Sequence, residues 1–89
     1  MGYDRKYGRV TTEHGDIPDD EPGVVFRGRD SQVPELLEQY RLLCEDAGSP
    51  QRHLDLIQGT LNEISAWQGE NPDRVKVPDS ERSRQWMGR

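Results

Sequence analysis

Apolar side chains are scarce in this chain. They make up 30% of its 89 residues, with a single Phe, and charged residues outnumber them at 33%. Globular proteins average roughly 45–50% apolar on a count that includes glycine. A chain this short buries about 60–65% of its unfolded surface. One core of that size supplies at most ~3–5 kcal/mol. The sequence therefore predicts a single domain. Part of its length stays unstructured, and it self-associates as a homo-oligomer to cover what it cannot bury alone.

Cysteine is nearly missing. Cys44 stands alone, which excludes an internal disulfide. Its place in a helical apolar stripe makes it a small buried hydrophobe rather than a nucleophile. A lone thiol fits a reducing compartment. No apolar run approaches the ~18 residues of a membrane span, and the first residues hold no apolar stretch of a secretory leader. The expected location is the cytoplasm. Gly2 follows Met1 as in myristoylated chains, but Lys6 stands where that signal wants Ser or Thr. Basic charge is short as well. Twelve Lys and Arg against 17 Asp and Glu give a net charge of -5, which argues against direct nucleic-acid binding. There is no zinc spacing and no internal repeat.

What the chain does have is punctuation. Tyr7, Val10, Thr11 and Thr12 are strand formers. Gly15, Pro18, Pro22 and Gly23 then forbid regular structure. Val24, Val25 and Phe26 make a short apolar run that reads as a buried strand. The expected sheet pairs residues 7–12 antiparallel with residues 24–27. A first helix over residues 31–47 opens on Asp30 or Ser31 as N-cap, with Pro34 in its first turn. Val33, Leu36, Leu37, Tyr40, Leu43, Cys44 and Ala47 recur at three- and four-residue steps and form one apolar face. Gly48 supplies a left-handed C-cap. Ser49 and Pro50 restart the chain as cap and first position of a second helix over residues 50–68. Its seam is Leu54, Ile57, Leu61, Ile64 and Trp67, and Gly69 and Pro72 end it. A turn this short makes the helices neighbours. The predicted class is α+β: a flexible lead over residues 1–6, then one small domain over residues 7–69. That domain holds a two-stranded antiparallel element and a two-helix antiparallel hairpin. Residues 70–89 form a mobile tail, extended or with a helical turn near residues 80–87.

Chemistry-bearing patterns are few. Glu13, Asp16, Asp19, Asp20 and Glu21 crowd one loop beside His14. They lack the alternate spacing, central glycine and terminal Glu of a calcium loop, and Pro18 and Pro22 deny them the burial that would separate their pKa values. His14 and His53 have no partner at ligand spacing. The expectation is no metal, no cofactor and no catalytic residue. The run Arg27-Gly28-Arg29 precedes a helix N-terminus, where anions dock. It lacks the glycine pattern of a dinucleotide or phosphate loop, so the plainer reading is a tight strand-to-helix turn with Asp30 as cap, and an anion site for a small ligand such as a nucleotide is the alternative. The helix–turn–helix outline suggests a regulator of transcription or recombination acting on DNA directly or through a partner. The second helix opens on Gln51, Arg52 and His53 but continues with Asp55 and Glu63.

Surface left over by the core points to a partner. Leu56, Gly59, Glu63 and Ala66 fall on the far face of the second helix, and Leu42 lies off the first helix's stripe. Gly59 lowers helix stability by roughly 1 kcal/mol relative to Ala, so it either tolerates a bend or marks a place where the strands, a second subunit or a partner could approach. Trp67 and Trp86 are large aromatics of the kind enriched where partners dock. The expected partner-binding residues are Leu42, Leu56, Gly59, Ala66, Trp67 and Trp86.

Several short motifs share a family likeness. Gly15-Asp16-Ile17-Pro18, Glu21-Pro22, Val24 to Arg27 and Asp30 opening a helix resemble small uncharacterised proteins of actinobacterial phages. So do Ala47-Gly48-Ser49-Pro50, Trp67-Gln68 and Val77-Pro78-Asp79. The likeness spans about residues 7–79. It implies a phage product acting in the host cytoplasm and assigns no functional residue. The expected function is a non-enzymatic protein–protein interaction with a host or phage protein.

Overall fold

Asp4 organises the start of the chain. This is a computed structural model, and it describes residues 2–78. β1 (Gly2–Asp4) turns through residues 5–7 into β2 (Gly8–Val10), with Asp4 opposite Gly8. The Asp4 Oδ1 accepts the backbone N–H groups of Lys6 and Tyr7, both at 2.7 Å, and so closes the turn. Gly8 has φ 88°, the left-handed geometry that a three-residue hairpin loop requires at its exit. Oδ2 reaches 21 residues ahead to the N–H of Val25 at 2.7 Å. One carboxylate thus serves three backbone donors. It is buried, and those N–H bonds, Tyr7 first and then Val25, hold its pKa below the ordinary value.

β3 (Pro22–Gly23) lies parallel to β1 on its other edge, so the order is β2-β1-β3. Proline fits there because an edge strand can spare its N–H. Gly2 is confined: a Cβ on it would sit 2.5 Å from Ile17 Cγ2 and 2.9 Å from the Glu21 carbonyl.

These strands correct the expected sheet. Residues 1–6 are not a loose lead, because β1 lies within them. Residues 24–27 form no strand and do not pair with residues 7–12. Both edges of β1 are taken, and the Val25 N–H is held by a side chain rather than a ladder. Val24 and Phe26 are 65% and 48% exposed, so the run is not buried either.

The helical hairpin follows the sequence more closely. α1 (Val33–Ala47) begins after Gln32, with Pro34 in its first turn. Asp30 is not the N-cap itself. Its Oδ1 accepts from the Gln32 N–H at 2.8 Å, one turn of chain ahead of the helix. Gly48 takes φ 88°, its N–H donating to Glu45 while the Ser49 N–H donates to the Cys44 carbonyl at 2.9 Å. That pattern closes the helix with the fewest orphan carbonyls. Ser49 is spent on this closure, so Pro50 rather than Ser49 occupies the N-cap of α2 (Gln51–Glu70). α2 runs through Gly69 and stops at Asn71, before a 3-10 turn at Pro72–Arg74. Residues 71–78 are no loose tail, since Lys76 bridges back to Asp30. The expected helical turn near residues 80–87, and Trp86 with it, lie outside the described residues.

Among the described residues the buried apolar set is Val33, Cys44, Leu54 and Ile57, with Leu37 packed against it. Full burial of an aliphatic side chain contributes ~1.5–3 kcal/mol, so this core is thin. On α1, Arg41 has its Nε buried and without a hydrogen-bond partner.

Candidate functional site

Gln68 assembles the most developed site. From the last turns of α2 its Nε2 donates to the carbonyls of Gly28 (2.8 Å) and Asp30 (2.9 Å). One amide group pins the turn that precedes α1. The chain after α2 grips the same turn through its backbone. Lys76 donates its N–H to the Arg29 carbonyl, and Ser31 donates to the Lys76 carbonyl, both at 3.0 Å. Asn71 directs that return path: its Nδ2 donates to the Trp67 carbonyl at 2.8 Å, and its own carbonyl accepts from the Arg74 N–H at 2.9 Å.

A cleft of about 640 Å³ opens among these pieces. It is lined by Arg27, Gly28 and Arg29 from the turn and by Glu63, Ile64 and Trp67 from α2. The segment after α2 adds Asp73, Arg74, Val75 and Lys76. Four cationic side chains face two carboxylates, so the local charge is opposite in sign to the chain's net -5. The Arg74 guanidinium lies 4.7 Å from the centre of the Trp67 ring, a cation–π contact that holds both groups at the cleft. A second hollow of about 290 Å³, reaching to Asp4 and Tyr7, shares Arg27, Arg29 and Lys76 with the first.

A different surface runs along α1. The apolar face expected there divides in two. Val33, Leu37 and Cys44 turn toward α2, whereas Leu36, Tyr40, Leu43 and Ala47 are exposed, Leu43 at 66%. The seven positions span roughly 120° of the helix at 100° per residue, wider than a single neighbouring helix covers. Tyr40 meets His53 across the hairpin, edge-on with ring centres 6.2 Å apart. Its phenol is held above the ordinary pKa, chiefly by its hydrogen bond with Cys44.

The structure brings together some of the residues singled out in the sequence and separates others. Arg27, Gly28 and Arg29 line the cleft as a set, and Trp67 joins them there rather than the face that carries Leu56. Leu42 and Leu56 are exposed, and Ala66 is too. Leu42 sits on the side of α1 turned from α2, and Leu56 on the side of α2 turned from α1, so they build no common surface. A Cβ on Gly59 meets nothing within 4 Å beyond its own helix, so among the described residues no other backbone approaches it. The loop acids Glu13, Asp16, Asp20 and Glu21 are exposed. His14 lies 3.9 Å from Glu13 with both side chains almost fully in solvent. Among the described residues no three His, Cys, Asp or Glu converge as metal ligands, and no helix is long and apolar enough to cross a membrane. Sequence reasoning gave no structural or binding role to Asp4, Gln68, Arg74 or Lys76. No family model, curated protein or solved structure matches the chain.

Proposed function

We propose that this chain is a non-enzymatic interaction protein, phage-encoded, that binds a host or phage protein through the exposed flank of α1. The observation that carries this reading is the divided apolar face. Leu36, Tyr40 and Leu43 lie in one row at four- and three-residue spacing and remain 39–66% exposed beside a core of only a few side chains. Water-exposed rows of this kind are where helices dock into partner grooves. The phage assignment is supported by the short motifs between residues 7 and 79 alone.

The flank also suits a second copy of the chain, which is the expected homo-oligomer. Docking is tested with Leu36→Glu/Leu43→Glu, two exposed changes that leave Val33, Leu37 and Cys44 in place. Light scattering on wild type and variant reads self-association. Reciprocal capture from host and phage-infected lysates, with both proteins as bait, reads other partners. The expected result is a specific partner or oligomer present with wild type and lost with the variant. An identical set of companions for both proteins, or none for either, refutes the reading.

A further inference from the structure

We infer that the cleft between the Arg27–Arg29 turn, Trp67 and the segment after α2 is a binding site for a nucleoside diphosphate. This site is separate from the α1 flank and does not depend on it. The turn before α1 converges here with the end of α2 and the segment that follows it, and two of these three stretches bring guanidinium groups. Arg27 and Arg29 come from the turn, and Arg74 from beyond α2. Guanidinium groups bind phosphate oxygens in a bidentate fashion that lysine cannot copy. Among the described residues neither Arg27 nor Arg29 has a carboxylate within ion-pair distance, although acids outnumber bases by five in the chain.

The framework holding them is built rather than incidental. The Gln68 amide makes two bonds to the turn, and the Asp30–Lys76 bridge closes it from the other side. Both arginines are therefore presented from a fixed backbone, which lowers the ordering cost of binding. The lining carries Glu63 and Asp73 as well. A bare polyanion gains nothing from carboxylates, but the hydroxyls of a ribose and the amino group of a base donate to them. A ligand with phosphates at one end and hydrogen-bond donors at the other meets both halves of the lining. The volume of about 640 Å³ falls in the ordinary range of small-molecule sites, ~300–1,000 Å³.

The probes are adenosine diphosphate, guanosine diphosphate and inorganic diphosphate. The protein is the full chain carrying Trp86→Phe, which leaves Trp67 as its single tryptophan. Titration calorimetry and Trp67 emission are read together. The expected result is saturable binding of a nucleoside diphosphate with a change in Trp67 emission, and weaker binding of inorganic diphosphate. Arg27→Ala and Arg29→Ala, each with an unchanged circular dichroism spectrum, are expected to weaken binding about tenfold or more, with partial recovery in the Lys variants. Leu36→Glu/Leu43→Glu is expected to leave it unchanged, so failure of the α1 reading and failure of this one are told apart. Absence of saturation with every probe, indifference to both arginines, or equal affinity for inorganic diphosphate overturns the proposal.

Discussion

Replacing Gly59 with alanine is expected to stabilise the isolated chain by ~0.8–1 kcal/mol. The residue lies in the interior of α2, where glycine is disfavoured relative to alanine by roughly that amount because it loses more backbone freedom on folding. Two structural facts keep the estimate from being eroded. Gly59 does not occupy the positive-φ region, unlike Gly48, and an added Cβ meets no heavy atom within 4 Å beyond its own helix among the described residues. The methyl group therefore introduces neither strain nor overlap. Urea unfolding followed by helical circular dichroism reads the effect. With an m value near ~1 kcal/mol/M, the midpoint moves up by about 0.8–1 M at constant m. A thermal scan of a domain this size moves by ~4–8 °C for each kcal/mol.

The measurement also bears on assembly. If Gly59 is where a second chain packs closely, the methyl group destabilises the oligomer, and the sign of the effect reverses as concentration rises. A dilute, monomeric sample that shows no gain, or a loss, refutes the reasoning, since nothing among the described residues opposes the substitution.

Two further perturbations test the framework. Asp4→Asn leaves a single carbonyl oxygen to serve three backbone donors and turns an N–H₂ group toward one of them, so the variant is expected to be less stable and to lose protection of the Val25 amide in hydrogen exchange. In the wild type the folded-state pKa of Asp4 lies below its ordinary 3.8. Its stabilisation is therefore complete above about pH 4 and is lost as pH falls through the lowered folded value; the variant should show a shallower acid limb in denaturation from pH 5 to 2, and an unchanged slope would count against the three-bond arrangement. Arg41→Met keeps an unbranched stem and removes the buried, unpartnered Nε donor, which is expected to gain about 1 kcal/mol; a loss of stability in urea would refute this.

The helical hairpin was readable because its signals are local. Gly48 and Pro50 mark its turn within three residues, and the apolar steps from Val33 to Cys44 and from Leu54 to Ile57 fix which sides meet. The sheet was not readable, for a physical reason. Its strands are two or three residues long, too short for alternation to register, and its key bonds come from one side chain. Asp4 reaching Val25 across 21 residues leaves no periodic trace. Val24-Val25-Phe26 misled because a run of β-branched and aromatic residues promises a buried strand, whereas the Val25 N–H that a ladder would use is held by the Asp4 carboxylate and Val24 and Phe26 stay exposed.

The cleft shows where sequence reasoning reaches and where it stops. Arg27-Gly28-Arg29 could be flagged as an anion site because charge and a helix start lie together in the sequence. Arg74 could not be added, since the link between residue 30 and residue 76 is a single isolated parallel bridge, which leaves no pattern in the sequence. Gln68 looks like any polar residue near the end of a helix; its importance lies in the two carbonyls it finds 38 and 40 residues away. The same limit explains α1. A stripe of seven apolar positions predicted one buried face, but its breadth of roughly 120° exceeds what one neighbour covers. Leu36, Tyr40 and Leu43 stay outside for that reason, and it is their arc, rather than their hydrophobicity, that separates a surface for docking from a core.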